Sequence, residues 1–331
     1  MKPVIAFVTG GYSSEAVISY KSAITIEKNI DRDKFQVYKI DITPDGWFYE
    51  NGSGKIEVDR NNFTLPIDGK KVSFDAVLIG IHGTPGEDGK LQGYFDLMGL
   101  PYTSCDAATS ALTFNKSYTV AVAAFGGINT ARSLHLFKDI PVKADAILKQ
   151  LNLPVFVKPN NGGSSIGMSK VAKAGDLPAA LDKAFKEDDQ VLVEEFIAGR
   201  EFTVGVFRTN KDIIVLPITE VITKKEFFDY EAKYQGMSEE ITPAKIDASV
   251  EKKVRDTARK VFELFNCRGV VRIDFIYNEA KGEPYILEIN TVPGQSEASI
   301  VPQQVQIMGW SLKDFYSSLI EEALERKRNK P

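Results

Sequence analysis

The chain opens on an unbroken apolar run, residues 4–8, that gives way to Gly10 and Gly11. A short run bounded by glycine reads as a buried strand. In SSEAVISYKSAITIEKNI, Val17, Ile18, Ile24 and Ile30 fall near helical spacing, with Ser13 or Ser14 the expected N-cap. Residues 35–42 alternate as a half-buried strand does. Residues 74–83 form a second buried strand leading into GTPGEDG, and KLQGYFDLMGLPYTS reads as a helix stopped near Gly99 and followed by a short strand. Strands alternating with helices predict a parallel α/β sheet, and this first unit is placed at 1–103.

Residues 104–127 read as one helix closed by Gly126 and Gly127. Strands are expected at 130–137 and 154–158, with a helix at 139–151 between them. A Gly/Ser-rich loop and the strand SIGMSKV follow. Leu177, Leu181 and Phe185, four apart, mark a helix that completes a second unit, 104–190. The remainder, 191–331, is strand-rich. VLVEEFI, EFTVGVF and IIVLPITEVI read as consecutive strands, the polar stretch 224–245 as a long loop, and 247–266 as a helix. VVRIDFIY and PYILEIN read as strands, and 311–326 as a last helix. The fold class expected is α/β, with α+β character toward the C-terminus.

Composition narrows the function. The 331 residues, 43% hydrophobic, suffice for more than one core. A net charge of −4, from 41 interspersed basic and 45 acidic residues, leaves no basic field for nucleic acid. No apolar run approaches the ~18 residues of a membrane span, and MKPVIAFVTGG is too short and strand-like for a signal peptide. Cys105 and Cys267 form no disulfide or metal pattern, and His82 and His135 are too few for a zinc site. A reduced, cytoplasmic protein is expected.

Two stretches carry chemistry. In LPVFVKPNNGGSSIGMSKV, at 153–171, Lys158 precedes the glycines and a strand follows them. A P-loop has the opposite order, with a helix behind it. A glycine-rich β-β turn can still present backbone N–H groups to phosphate, as a lid rather than a cradle. An ordinary glycine-rich hairpin is the other reading of this stretch alone.

The second stretch is VVRIDFIYNEAKGEPYILEIN. Side chains alternate faces along a strand, so Arg272 pairs in orientation with Asp274, and Glu288 with Asn290. A turn centred on Lys281 sets Asp274 opposite Glu288 and Arg272 opposite Asn290. Carboxylates this close repel unless a cation or proton lies between them. Few, hard oxygen ligands point to Mg²⁺ completed by substrate phosphates. The other face, with Ile273, Phe275, Leu287 and Ile289, is apolar, which argues against a solvated outer sheet.

The lid and the R-I-D…E-I-N hairpin resemble the ATP-grasp superfamily, and more narrowly the D-alanine–D-alanine ligase family. Further matching stretches run the length of the chain in order: GGYSSE, HGTPGEDGKLQG, GLPYTS, Asn115-Lys116, EFTV, FDYEAKY, EINTVPG and SIVP. The resemblance implies a Rossmann-like N-terminal domain followed by a two-part ATP-grasp fold, a homodimer, and small-molecule substrates. It implies that ATP meets Lys116, Lys158, Ser165 and Lys233 with its phosphates, Glu194, Glu195 and Ile197 with its adenine, and Glu201 with its ribose. Asp274, Glu288 and Asn290 would hold two Mg²⁺ ions, with Mn²⁺ an alternative. Glu15 would bind the first D-alanine's ammonium, and Ser164 and Tyr234 would latch onto Glu15. Arg272 and the Gly294 N–H would form an oxyanion site, Ser299 and the Ile300 N–H would receive the second substrate's carboxylate, and His82 would lie near the first substrate.

The chain departs from the family pattern in places. Glu195 stands where a lysine is usual, and Ala298 stands where the run QSEAS would otherwise carry histidine. The implied reaction joins two D-alanine molecules through a D-alanyl phosphate. A D-alanine–D-lactate or D-alanine–D-serine ligase is the nearest alternative, and Tyr234 in EAKY argues against the former. A dehydrogenase would need a third glycine that GGYSSE lacks. A non-catalytic binding module would have no need of clustered carboxylates.

Overall fold

In the computed structural model the described residues are 1–52, 54–140, 142–163, 166–223 and 238–328. The first sheet is five-stranded, in the order β4-β3-β2-β1-β7, formed by β1 (Val4–Gly10), β2 (Gln36–Thr43), β3 (Gly46–Asn51), β4 (Gly54–Glu57) and β7 (Ala76–Ile79). β1 lies parallel to both β2 and β7. β3 and β4 add antiparallel strands that the expected parallel sheet did not include. A small ribbon of β5 (Leu65–Ile67) and β6 (Lys70–Val72) flanks them. The short strand expected after Gly99 is reduced to a single bridge between Tyr102 and Val77.

Helix α1 (Ala16–Asn29) corrects the periodicity reading. Val17 and Ile24 face solvent, 59% and 69% exposed, while Ser19, Ser22, Ala23 and Ile26 are buried. Small residues let the helix approach the sheet, and their hydroxyls find partners there. Neither serine caps the helix. Glu15 holds the N-cap position, and its N–H donates to Ser13 Oγ at 3.3 Å. Helix α2 (Lys90–Leu97) covers the opposite face of the sheet with Leu91 and Phe95.

The single helix expected over 104–127 breaks at Asn115 into α3 (Ala107–Phe114) and α4 (Lys116–Phe125). Asn115 is extended, and its side chain accepts from Tyr118 N at 3.0 Å, capping α4. Asn160, fully buried, completes the joint. Its carbonyl accepts from Lys116 N, and its Oδ1 accepts from Ser117 N at 2.9 Å and Ser117 Oγ at 2.6 Å. The break therefore places Lys116 at the start of a helix beside the glycine-rich loop.

That loop belongs to a four-stranded sheet, β10-β9-β11-β8, made of β8 (Ser133–Phe137), β9 (Val155–Pro159), β10 (Ser169–Val171) and β11 (Gln190–Glu195). Its neighbouring strands are antiparallel. The β9–β10 connection carries the glycines, as the sequence predicts. Helix α5 is shorter than expected, Ala144–Leu148, and α6 (Leu177–Ala184) buries Leu177 and Leu181 beneath the sheet.

The C-terminal sheet runs β15-β14-β12-β16-β17, with β13 also on β12. It is built from β12 (Arg200–Arg208), β13 (Ile213–Val215), β14 (Thr219–Thr223), β15 (Ser238–Ile241), β16 (Val270–Asn278) and β17 (Glu283–Asn290). IIVLPITEVI thus splits around Pro217, and β15 lies inside the stretch expected to be loop. The rest of that stretch, 224–237, is outside the described residues. Helix α7 (Ala248–Leu264) packs Val254, Ala258, Val261 and Phe262 on the sheet. Helix α8 (Ile300–Ile307) is an element the sequence reading missed. Helix α9 (Leu312–Arg328) crosses back, and Phe315, Tyr316 and Leu319 share one core with Ile5, Phe7 and Leu78 of the first sheet.

Asn160→Ala is expected to lower stability by about 1–3 kcal/mol, the cost of leaving buried donors without an acceptor. A fall in urea midpoint at unchanged slope, read by tryptophan fluorescence, checks it.

Candidate active site

The β16–β17 register pairs Asp274 with Glu288 and Arg272 with Asn290, as the sequence predicts. A bulge follows at once, between Asp274 and Phe275, so that Phe275 meets Ile286 rather than Leu287. One extra residue inverts the alternation. Ile286 joins Ile273, Phe275 and Ile289 in the core, and Leu287 turns with Ile276 toward the cleft. Leu287 is therefore a cleft residue, not a core residue. The bulge gives the site face an acidic end and an apolar end.

At the acidic end Asp274 is 6% exposed. It accepts from Arg272 Nη2 at 2.8 Å, from Arg272 Nε at 3.0 Å and from Thr203 Oγ1 at 2.9 Å. Arg272 Nη2 also lies 3.7 Å from Glu288 Oε1. Asn290 Nδ2 is 3.3 Å from both carboxylates. Desolvation alone would lower the guanidinium pKa, but Asp274, then Glu288 and Glu87, hold it above its ordinary value. Among the described residues no three His, Cys, Asp or Glu side chains gather as a metal cage. The donor set is two facing carboxylates and one amide. That fits Mg²⁺, which takes few protein oxygens and leaves positions for phosphates.

Above this hairpin lies a cleft of about 450 Å³ between the central and C-terminal sheets. Lys116, Lys158, Glu194, Ile197 and Glu201 line it, together with Leu287. Lys158 and Glu194 form an almost buried ion pair at 2.6 Å. Lys116 Nζ donates to Gly162 O at 2.6 Å, tying α4 to the glycine-rich loop. Burial lowers its pKa, Lys158 adds to the effect, and Glu288 opposes it. Glu195 turns its carboxylate to Asn152, accepting from the backbone N–H at 2.8 Å and from Nδ2 at 3.0 Å. Its own N–H is spent on Arg132 O.

A second pocket, about 280 Å³, shares Lys116, Arg272, Glu288 and Ile300 with the first. Glu15, His82, Asn290, Gly294 and Ser299 line it. Glu15 is held between two glycines. A Cβ on Gly83 would run into Glu15 Oε2, and one on Gly163 would meet Oε1 at 2.6 Å. Only residues without side chains allow this approach. Ser299 precedes α8, so Ile300 offers its N–H at a helix N-terminus. Ser164, Ser165, Lys233 and Tyr234 lie outside the described residues.

Sequence reasoning missed Glu87, which sits inside the quoted GTPGEDG. Its Oε2 accepts from Gly83 N at 2.7 Å, and its Oε1 from Val292 N at 3.1 Å, joining the first unit to the loop after β17. Loop residues have no periodicity to reveal them. It also missed Arg200 and Glu220, a two-point ion pair at 2.7 Å on the rim of the cleft.

The solved structures the chain resembles, and the lid opposed to an acid-bearing hairpin, define an ATP-grasp ligase. Models for the D-ala D-ala ligase N-terminus and C-terminus match residues 4–105 and 115–321, and the chain belongs to that family. It is 44% identical over 321 residues to the D-alanine–D-alanine ligase of Flavobacterium johnsoniae, covering 97% of this chain and 99% of that one. It is 43% identical to the ligase of that name in Parabacteroides distasonis over the full length of both. Among solved structures it is similar to the D-Ala:D-Ser ligase of Enterococcus faecalis, at a TM-score of 0.87 and 31% identity over 97% of this chain and 99% of that one. A D-alanine–D-alanine ligase of Bacillus anthracis complexed with ATP matches at a TM-score of 0.80 and 25% identity, over 99% of this chain and 100% of that one.

Burial, then the Glu15 carboxylate, pushes the Glu87 pKa from 4.5 to about 8, against the two backbone N–H groups and Arg272. The folded state thus holds a proton that the unfolded chain releases at lower pH. Stability from this group is complete below about 4.5 and is lost as pH rises through about 8. Glu87→Gln, neutral throughout, should therefore gain melting temperature relative to the unmodified protein as pH rises across that window. A difference that stays constant or shrinks would count against a protonated Glu87.

Proposed function

We infer that this protein joins two D-alanine molecules into D-alanyl-D-alanine, with ATP cleaved to ADP and phosphate, for peptidoglycan precursor synthesis. The observation that carries the reading is the contact between the two pockets. The Arg272–Asp274–Glu288 cluster opens on one side to the cleft under the glycine-rich loop, and on the other to the pocket lined by Glu15. A phosphate in one and an amino acid in the other would meet there.

Adenine lies against Leu287 and Ile276, with Glu194 and the strand end at Glu195 and Ile197 on its polar edge, and Glu201 takes the ribose. Lys158 then exchanges Glu194 for the nucleotide, and Lys116, Ser165 and Lys233 join it on the phosphates. Asp274, Glu288 and Asn290 would hold the Mg²⁺, in two ions that Mn²⁺ could replace. Bound metal neutralises charge on the phosphates during transfer. Glu15 fixes the first D-alanine's ammonium beside His82, with Ser164 and Tyr234 closing over it. The substrate carboxylate attacks the γ-phosphorus, the bond to ADP breaks, and an acyl phosphate results. Ser299 and the Ile300 N–H hold the second D-alanine's carboxylate, so that its uncharged amine faces the acyl carbon. Arg272 and the Gly294 N–H stabilise the oxyanion, and phosphate leaves. Positioning and charge supply the catalysis, and no protein nucleophile is required. The reading extends to units at 1–103, 104–190 and 191–331, a homodimer, and a cytoplasmic location.

Phosphate release from ATP and Mg²⁺ should depend on D-alanine and not on L-alanine, with the dipeptide identified by chromatography. Equal release with both isomers would sink the stereochemical assignment. Glu288→Gln should cost roughly 10²–10³ in rate, the usual loss for one preorganised charge contact. Retention of more than about a tenth of the activity would argue against metal held at that carboxylate.

A further inference from the structure

Gly294 has a task that its own chemistry cannot secure. Glycine restrains its torsions less than any other residue, yet the proposed oxyanion donor is its N–H. Something outside the residue must aim it. Three buried contacts hold the surrounding loop. Val292 N donates to Glu87 Oε1 at 3.1 Å, Gln295 N donates to Ser22 Oγ at 3.0 Å, and Gln295 Nε2 donates back to Pro293 O at 3.1 Å. The last matters most. Pro293 C=O and Gly294 N–H belong to one planar trans unit, so they point in opposite directions. Fixing the carbonyl on the buried side fixes the N–H toward the pocket that Gly294 lines with Arg272 and Ser299.

Gln295 is itself held. Tyr316 Oη, on α9, donates to Gln295 Oε1 at 3.1 Å. Both residues are buried, at 5% and 1% exposed. Burial pushes the Tyr316 phenol pKa up, so it remains a donor. The amide orientation is determined by its partners, because a flipped amide would set oxygen against the Pro293 carbonyl. Ser22 extends the chain of bonds to His82 Nε2 at 2.9 Å. The four groups come from α9, the loop after β17, α1 and the loop after β7.

We propose that Gln295, braced by Tyr316, is a positioning residue that aims the Gly294 N–H at the developing oxyanion of the second chemical step. This rests on the ligase reading above. It separates the two half-reactions, because phosphoryl transfer does not place charge at that N–H, whereas attack of the second amine does. Loss of the brace should leave acyl phosphate forming at its usual rate but attacked slowly, so that water consumes part of it.

The test uses the full-length protein with ATP, Mg²⁺ and D-alanine, measuring ADP and dipeptide together. Gln295→Leu keeps the side chain's bulk and removes both its bonds. Tyr316→Phe removes one hydroxyl and keeps the ring. The unmodified protein should release one ADP per dipeptide. Gln295→Leu should lower dipeptide kcat by about 10- to 100-fold, short of losing the donor outright, with the KM for ATP unchanged and clearly more ADP than dipeptide. Tyr316→Phe should move both readouts the same way by about 3- to 10-fold, the worth of one neutral hydrogen bond. Two folded variants that keep the coupling ratio at one overturn the proposal, even if overall activity falls, since that fall would be structural. If Gln295→Leu fails to fold, Tyr316→Phe decides by the same ratio. An unmodified protein that makes ADP without any dipeptide would overturn the ligase reading itself, and this inference with it.

Discussion

Two carboxylates facing one another across a hairpin are the constraint around which the site is built. Asp274 and Glu288 would repel if left alone. Arg272 lies between them, with its guanidinium pKa held up by their field. The arrangement is electrostatically satisfied without substrate, but only while the arginine stays. A metal ion with phosphate oxygens would relieve the same repulsion and release Arg272 for another partner. On the ligase reading proposed above, the cluster would exchange one cation for another, with the sheet behind it as the common support. Thr203 on β12 supports this from the third strand, with its hydroxyl on Asp274.

The second constraint is contact between units. The Glu15 carboxylate is pressed between Gly83 of the first unit and Gly163 of the central loop. Glu87 joins Gly83 to the loop after β17. Lys116 ties α4 to Gly162. The last two are polar contacts, added to the apolar core that the first and C-terminal sheets already share. The site therefore exists only where the units meet, and none of its halves is complete inside a single sheet.

Much of this was legible in the sequence, for physical reasons. Period-two alternation and a short turn are enough to deduce the Asp274–Glu288 pairing, because register follows from the two strands themselves. The glycine-rich loop between two strands could be distinguished from a P-loop by the order of its residues. What failed were features set by tertiary contact. The buried face of α1 is small and hydroxylic, so apolar periodicity chose the wrong side. The break at Asn115 depends on Asn160, distant in sequence. The bulge that turns Leu287 into the cleft leaves an unremarkable hydrophobic pattern. Glu87 and Gln295 bond to backbone groups of loops, Gly83 and Val292 for the one and Pro293 for the other, and no spacing rule reaches them.

The return of α9 to the first sheet has a consequence for how the chain acquires its shape. Ile5, Phe7 and Leu78 are covered by Phe315, Tyr316 and Leu319, residues that emerge from the ribosome more than two hundred positions later. The first-made sheet cannot dry that face until α9 is available. During synthesis that face waits half-wet, with α1 as its local cover, and α9 acts as the closing wedge. A ribosome that stalls late in the message would leave a chain whose catalytic hairpin is already made but whose opening domain still lacks part of its core.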